Sequence, residues 1–97
     1  MLFMMEWKFK SYQGNAEAGY KKFLATGAPM PEGCKLVGRW HAPGSGNGWL
    51  IADTDDIAHC YEHASEWAEL LEWTTTPILT DEQAGGIVSK VWGAKEN

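Results

Sequence analysis

Residues 2–9, Leu-Phe-Met-Met-Glu-Trp-Lys-Phe, alternate with a period of two. Phe3, Met5, Trp7 and Phe9 fall on one side, Met4, Glu6 and Lys8 on the other. Successive side chains of a strand point to opposite faces, so this is the pattern of a half-buried strand. The period then changes along the chain, and the order of those changes constrains the fold more than any single residue. Residues 15–26 take helical spacing, with Ala16, Tyr20, Phe23 and Leu24 on one side, Asn15 placed to cap and Gly27 to stop. Two prolines make residues 28–33 a turn. Residues 34–41 and 49–53 read as strands joined by a Gly-rich hairpin loop, 42–48. Thr54 is placed to cap a helix running to about residue 68, with Ile57, Cys60, Tyr61, Ala64 and Ala68 as its apolar stripe. Residues 72–79 read as a fourth strand. Thr80-Asp-Glu-Gln83 forms a capping box that opens a last helix, 80–92, striped by Ile87, Val88, Val91 and Trp92.

Strand, helix, strand, strand, helix, strand, helix is an α+β order, and its first six elements are the ferredoxin-like split βαβ (βαββαβ) with a C-terminal helix added. The 97 residues suffice for one domain, 1–97. In that arrangement the helices cover one face of an antiparallel sheet. The other face would carry Met4, Val37 and several tryptophans, and a second copy is the simplest cover. The expected assembly is therefore a homodimer, a dimeric α+β barrel, with helix 80–92 able to reach across to the partner.

Charge narrows the function classes. Eight basic against thirteen acidic residues give a net charge of −5, and the acidic groups concentrate in residues 51–97. Such a chain repels phosphate backbones, so no nucleic-acid partner is expected. No apolar run approaches the roughly 18 residues of a membrane helix, and the first residues lack the pattern of a signal peptide. With no export signal, Cys34 and Cys60 are expected as reduced packing thiols in a cytoplasmic protein. No motif implies a cofactor. The glycines of loop 42–48 lack the Gly-Lys-Ser/Thr that a phosphate-binding loop needs.

Several words of the sequence are distinctive together: Phe23-Leu-Ala-Thr-Gly-Ala-Pro-Met-Pro-Glu-Gly33, Gly38-Arg-Trp-His41, Thr54-Asp-Asp56, Glu66-Trp67 and Thr76-Pro-Ile-Leu-Thr-Asp-Glu82. They resemble a small single-domain bacterial and cyanobacterial family of unknown function, also met in marine viral and metagenomic sequence. The resemblance implies a relative of dimeric α+β-barrel proteins. That wider group includes antibiotic-biosynthesis monooxygenases, haem-degrading enzymes and muconolactone isomerases, so fold alone licenses no reaction.

Candidate chemistry falls on the sheet. With Leu36 and Trp40 toward the helices, period two sends Lys35, Arg39 and His41 to the open face, where Glu6 and Lys8 also point. The expectation is a pocket there for a small anionic or aromatic ligand, with Arg39 holding the anion and Trp49 or Trp73 forming an apolar wall. The alternative is a cofactor-independent monooxygenase or isomerase acting on a hydrophobic or aromatic substrate. His41 would then be the acid–base group, Arg39 the oxyanion stabiliser and Glu6 the orienting carboxylate. His59 and His63 have the i, i+4 spacing of metal ligands. A helical wheel places them opposite Ile57, Tyr61, Ala64 and Ala68, on a solvated face, so no metal site is expected.

Overall fold

The computed structural model describes residues 1–93; the last four residues of the expected domain lie outside them. In chain order the elements are β1 (Leu2–Phe9), α1 (Tyr12–Thr26), β2 (Lys35–His41), β3 (Asn47–Asp53), α2 (Ala58–Trp67), β4 (Leu71–Ile78) and α3 (Asp81–Trp92). The strands form one antiparallel sheet in the order β2-β3-β1-β4. This is the expected ferredoxin-like α+β arrangement. No helix is long and apolar enough to cross a membrane among the described residues.

β1 alternates as its sequence dictates. Phe3, Met5, Trp7 and Phe9 are buried and form the centre of the core with Leu50, Ala52, Cys60, Trp67 and Leu71. Trp7 faces Gly48 on β3. A β-carbon at Gly48 would collide with the Trp7 ring and with the Trp40 carbonyl, so only glycine lets the indole lie across the strand there.

The helices begin and end somewhat differently from the expectation. α1 starts three residues before Asn15. Ser11 is its cap, with its Oγ accepting from Gly14 N at 3.3 Å, and Asn15 Oδ1 in turn accepts from Ser11 N. Gly27 ends the helix in the left-handed region, φ 74°, as anticipated. Thr54 caps a turn and not α2 itself: its hydroxyl accepts from Asp56 N, while Asp56 Oδ1 accepts from Ala58 N. The capping box at Thr80 and Gln83 forms as read.

The largest difference concerns α2. Its buried stripe is Cys60, His63 and Trp67, while Ile57 and Tyr61 are exposed and Ala68 lies outside on the surface. Cys60 and Ala64 of the expected stripe do meet the core, but the stripe is turned away from Ile57, Tyr61 and Ala68 toward His63 and Trp67. Trp67 explains it, because a buried indole removes far more apolar area from water than Ala68 or a solvent-tolerant Tyr61. His63, expected in solvent, is 1% exposed.

α3 buries none of its residues, and Ile87, Val88, Val91 and Trp92 all stand in solvent. The radius of gyration is 16.7 Å, against about 13 Å for a compact domain of 100 residues, which is the mark of a helix extending from the body.

Candidate functional site

A β-bulge in β2 decides where the chemistry sits. Leu36 pairs with Ala52, but the next matched pair is Gly38 with Ile51, followed by Arg39 with Leu50, Trp40 with Trp49 and His41 with Gly48. Val37 is the additional residue, and it reverses the parity of everything after it. Leu50 and Gly48 pair with Met5 and Trp7 on the helix-covered face. Arg39 and His41 therefore point toward the helices, on the same side as Leu36. Trp40 turns to the open face and is 55% exposed.

This separates the expected acid–base set. Glu6 pairs in register with Trp49 on the open face, and its Oε1 accepts from Trp49 Nε1 at 2.7 Å. Arg39 and His41 are on the other side of the sheet. Glu6 cannot orient His41 through the sheet, so the geometry corrects the three-residue arrangement: Arg39 and His41 are together, Glu6 is not. The expected ligand walls divide likewise. Trp73 pairs with Trp7 and faces the helices, while Trp49 lies with Glu6.

The cavity that Arg39, His41 and Trp73 share lies between the sheet and helices α1 and α2. It encloses about 40 Å³, opens to solvent, and is lined by Trp7, Phe23, Trp67 and His63 as well. That space takes water-sized groups. A larger ligand must extend into the mouth.

Each polar member is held by a distinct local cause. Arg39 Nη2 donates to Ala28 O at 2.7 Å and Nη1 to Gly27 O at 3.5 Å, so the positive-φ end of α1 positions the guanidinium. Its carbon lies 5.5 Å from the centre of the Phe23 ring. Burial lowers the Arg39 pKa, and the group remains a cation because guanidinium starts so high. Among the described residues Arg39 has no carboxylate within ion-pair distance. His41 sits at the exposed end, edge-on to Trp7 at 5.3 Å and to Phe23 at 5.4 Å. Burial first, and the Arg39 charge second, lower its pKa.

His63 forms the deep end. Its ring meets Trp73 edge-on at 5.6 Å. Burial pushes its pKa down to about 4, helped by the charges of Arg39 and Lys22 and opposed by a backbone hydrogen bond to Pro29, so the ring is neutral at pH 7. His63 Nδ1 and Trp73 Nε1 are both buried without a hydrogen-bond partner among the described residues. Lys22 closes α1 onto α2 by donating to the Glu66 carbonyl and lying 4.5 Å over the Trp67 ring.

The i, i+4 histidine pair is thus divided between two environments. His59 Nδ1 is 2.6 Å from the Thr54 hydroxyl, whereas His63 belongs to the cavity. His63 and Trp67 are the site residues that sequence reasoning missed. Phasing the α2 wheel on Trp67 would have put His63, four residues earlier, on the inward face.

Fold and site together define a small ferredoxin-like α+β domain with an aromatic, cationic cavity beneath its helices. The chain belongs to the family described as Domain of unknown function (DUF3303), whose model matches residues 1–92. No curated protein and no solved structure matches it.

Proposed function

We propose that this domain is a small-ligand-binding module whose pocket is the cavity between sheet and helices, with Arg39 holding an anionic group and Trp73 forming an apolar wall. One observation carries this reading: a half-buried guanidinium, free of any carboxylate among the described residues, opens onto a space walled by aromatic rings. Keeping a partly desolvated charge there costs free energy unless an anion answers it. Two main-chain carbonyls hold part of the guanidinium fork, and its other donors suit a carboxylate.

Benzoate is a suitable probe, with a ring for the aromatic walls and a carboxylate for Arg39. Titration should shift the Trp73 indole N–H resonance, and Arg39→Gln should weaken binding about tenfold or more, the scale of a charge-assisted hydrogen bond. Trp49→Phe, on the opposite face, should leave the affinity unchanged. Equal affinities for the wild type and Arg39→Gln would remove the proposal.

We propose also that a second copy covers the open face. Trp40 at 55% and Val37 at 53% exposure stand there beside the partly exposed Trp49 and Ile51, while the stripe of α3 is likewise uncovered. Contiguous apolar surface of this kind marks interaction sites in soluble proteins. Light scattering on the purified chain should give twice the 10.8 kDa chain mass, and Trp40→Glu should shift the particle toward the monomer. A monomeric wild type at micromolar concentration would exclude the pairing.

A further inference from the structure

α3 is a helix that its own chain does not account for. It has 12 residues, and an isolated helix of that length is marginal in water. Gly85 and Gly86 weaken it further, since glycine holds a helix less well than alanine, and a β-carbon on either would meet nothing within 4 Å. Such a helix needs the packing of an apolar face, yet α3 buries no residue of its own. Ile87, Val88, Val91 and Trp92 are 42–60% exposed, and the chain measures 59 Å along its longest axis against 29 Å along the next.

The same chain carries a surface that fits this stripe. Between α2 and the edge strand β4 lies an open groove of about 560 Å³, lined by Ile57, Ala58, Tyr61, Ala64, Trp73 and Thr75. Asp56 is the charged member of the lining, and its carboxylate accepts from Ala58 N. No residue of α3 lines the groove. The spacings match. Ile57, Tyr61 and Ala64 follow one another by four and three residues, a ridge about 10 Å long, and the stripe from Ile87 to Trp92 covers about 8 Å with the same intervals. Ala58 and Ala64 are small enough to admit a second helix closely.

We propose that α3 of one copy docks in the α2–β4 groove of a second copy, which returns the contact, so that the two chains exchange helices about a two-fold axis. This rests on the reading of the chain as a pair and names surfaces that join it. The occupant is a second copy because of the link. Only Leu79 and Thr80 separate β4 from α3, and the capping box of Thr80 with Gln83 holds the start of the helix with its stripe off its own body. Area requires the exchange to be reciprocal. Ile57, Tyr61 and the four stripe residues, each 42% exposed or more, offer on the order of 600 Å² per contact, and the two-fold axis doubles this to about 1,200 Å², the lower end for a specific interface.

Isotope-filtered NMR on an equal mixture of labelled and unlabelled chain tests the exchange. Contacts should appear between the Val88 and Val91 methyl groups of one copy and the Tyr61 ring of the other. Tyr61→Glu and Val88→Glu alter exposed positions, so the body should stay folded. Each should raise the dimer dissociation constant about a hundredfold, because each sets a charge into the contact twice per dimer. Protection of the α3 amides from hydrogen exchange should be lost on dilution, together with the dimer. Contacts from Val88 and Val91 to Tyr61 within one chain only would mean that α3 closes on its own groove, and would overturn the exchange, as would a dissociation constant that neither variant moves. A dimer whose inter-chain contacts run only through Trp40 would keep the open-face pairing and discard the exchange. A dimer that persists in Trp40→Glu and is lost in Val88→Glu would do the reverse. A monomeric wild type would remove both.

Discussion

Two indole N–H groups measure the difference between the faces of the sheet. Trp49, on the open face, donates to the Glu6 carboxylate at 2.7 Å. Trp73, on the covered face, holds its N–H in the interior with no partner among the described residues. The residue type and the sheet are the same; the treatment of the polar atom is opposite. Where water competes, a hydrogen bond contributes little, and leaving it unmade costs little. In the interior an unmade one costs about 1–3 kcal/mol. His63, whose Nδ1 is also buried without a partner among the described residues, packs edge-on against Trp73. The open face, with its satisfied indole and its exposed Trp40, has the features of a surface to be covered instead.

The sharpest way to break this comparison is acid. His63 is neutral in the folded chain with a pKa of about 4, against about 6.5 in the unfolded one. Between these values the unfolded chain binds a proton that the folded chain does not, so stability falls as pH falls through that window. The loss by pH 4 should be roughly 3 kcal/mol from this residue. His41 acts in the same direction, since burial also lowers its pKa. Urea unfolding at pH 7, 5.5 and 4 measures the slope, and His63→Leu should remove most of it. An unchanged slope in that variant would place the acid sensitivity elsewhere and weaken the case that the deep end is dry.

The next effect tests how tightly the covered face is packed. Gly48→Ala sets a methyl against the Trp7 ring and the Trp40 carbonyl, one of which must move. Overpacking of this kind costs typically about 1–3 kcal/mol. Because Trp7 also lines the cavity, benzoate affinity should fall in the same variant. A fully stable Gly48→Ala protein with unchanged affinity would mean that the wall is softer than its contacts imply.

These two residues also show where the sequence was readable. β1 has no irregularity, and its alternation correctly sorted Phe3, Met5, Trp7 and Phe9 from Glu6. The element order alone was enough for the sheet topology, because the split βαβ has few ways to connect. β2 misled because parity was carried through Val37. A bulge adds one residue without any breach of local strand character, and Leu-Val-Gly-Arg-Trp-His reads as a strand with or without it. A one-residue shift moved Arg39 and His41 through the sheet and exchanged them with Trp40. The rotation of α2 had a different cause. Two phases competed on that helix, both containing Cys60 and Ala64: one added Ile57, Tyr61 and Ala68, the other His63 and Trp67, and tertiary packing chose the one containing the larger ring. Periodicity gives the angle between residues on a helix, not which side meets the core.

The smallest effect concerns the open face. Trp49→Phe removes an indole that donates to an ionised acceptor near solvent, and should cost about 1 kcal/mol in the separated chain. Glu6→Gln keeps an acceptor oxygen and loses only the charge, so its cost should be smaller, roughly half of that. If a second copy covers this face, both costs should grow with protein concentration, since the pair is then withdrawn from water and its loss is felt in the dimer as well as in the fold. Denaturation of both variants at two concentrations, a hundredfold apart, separates the cases. Equal costs at both concentrations would leave Glu6 and Trp49 as a surface pair on an uncovered sheet. The contrast with Trp73 would then be one between solvent and interior alone.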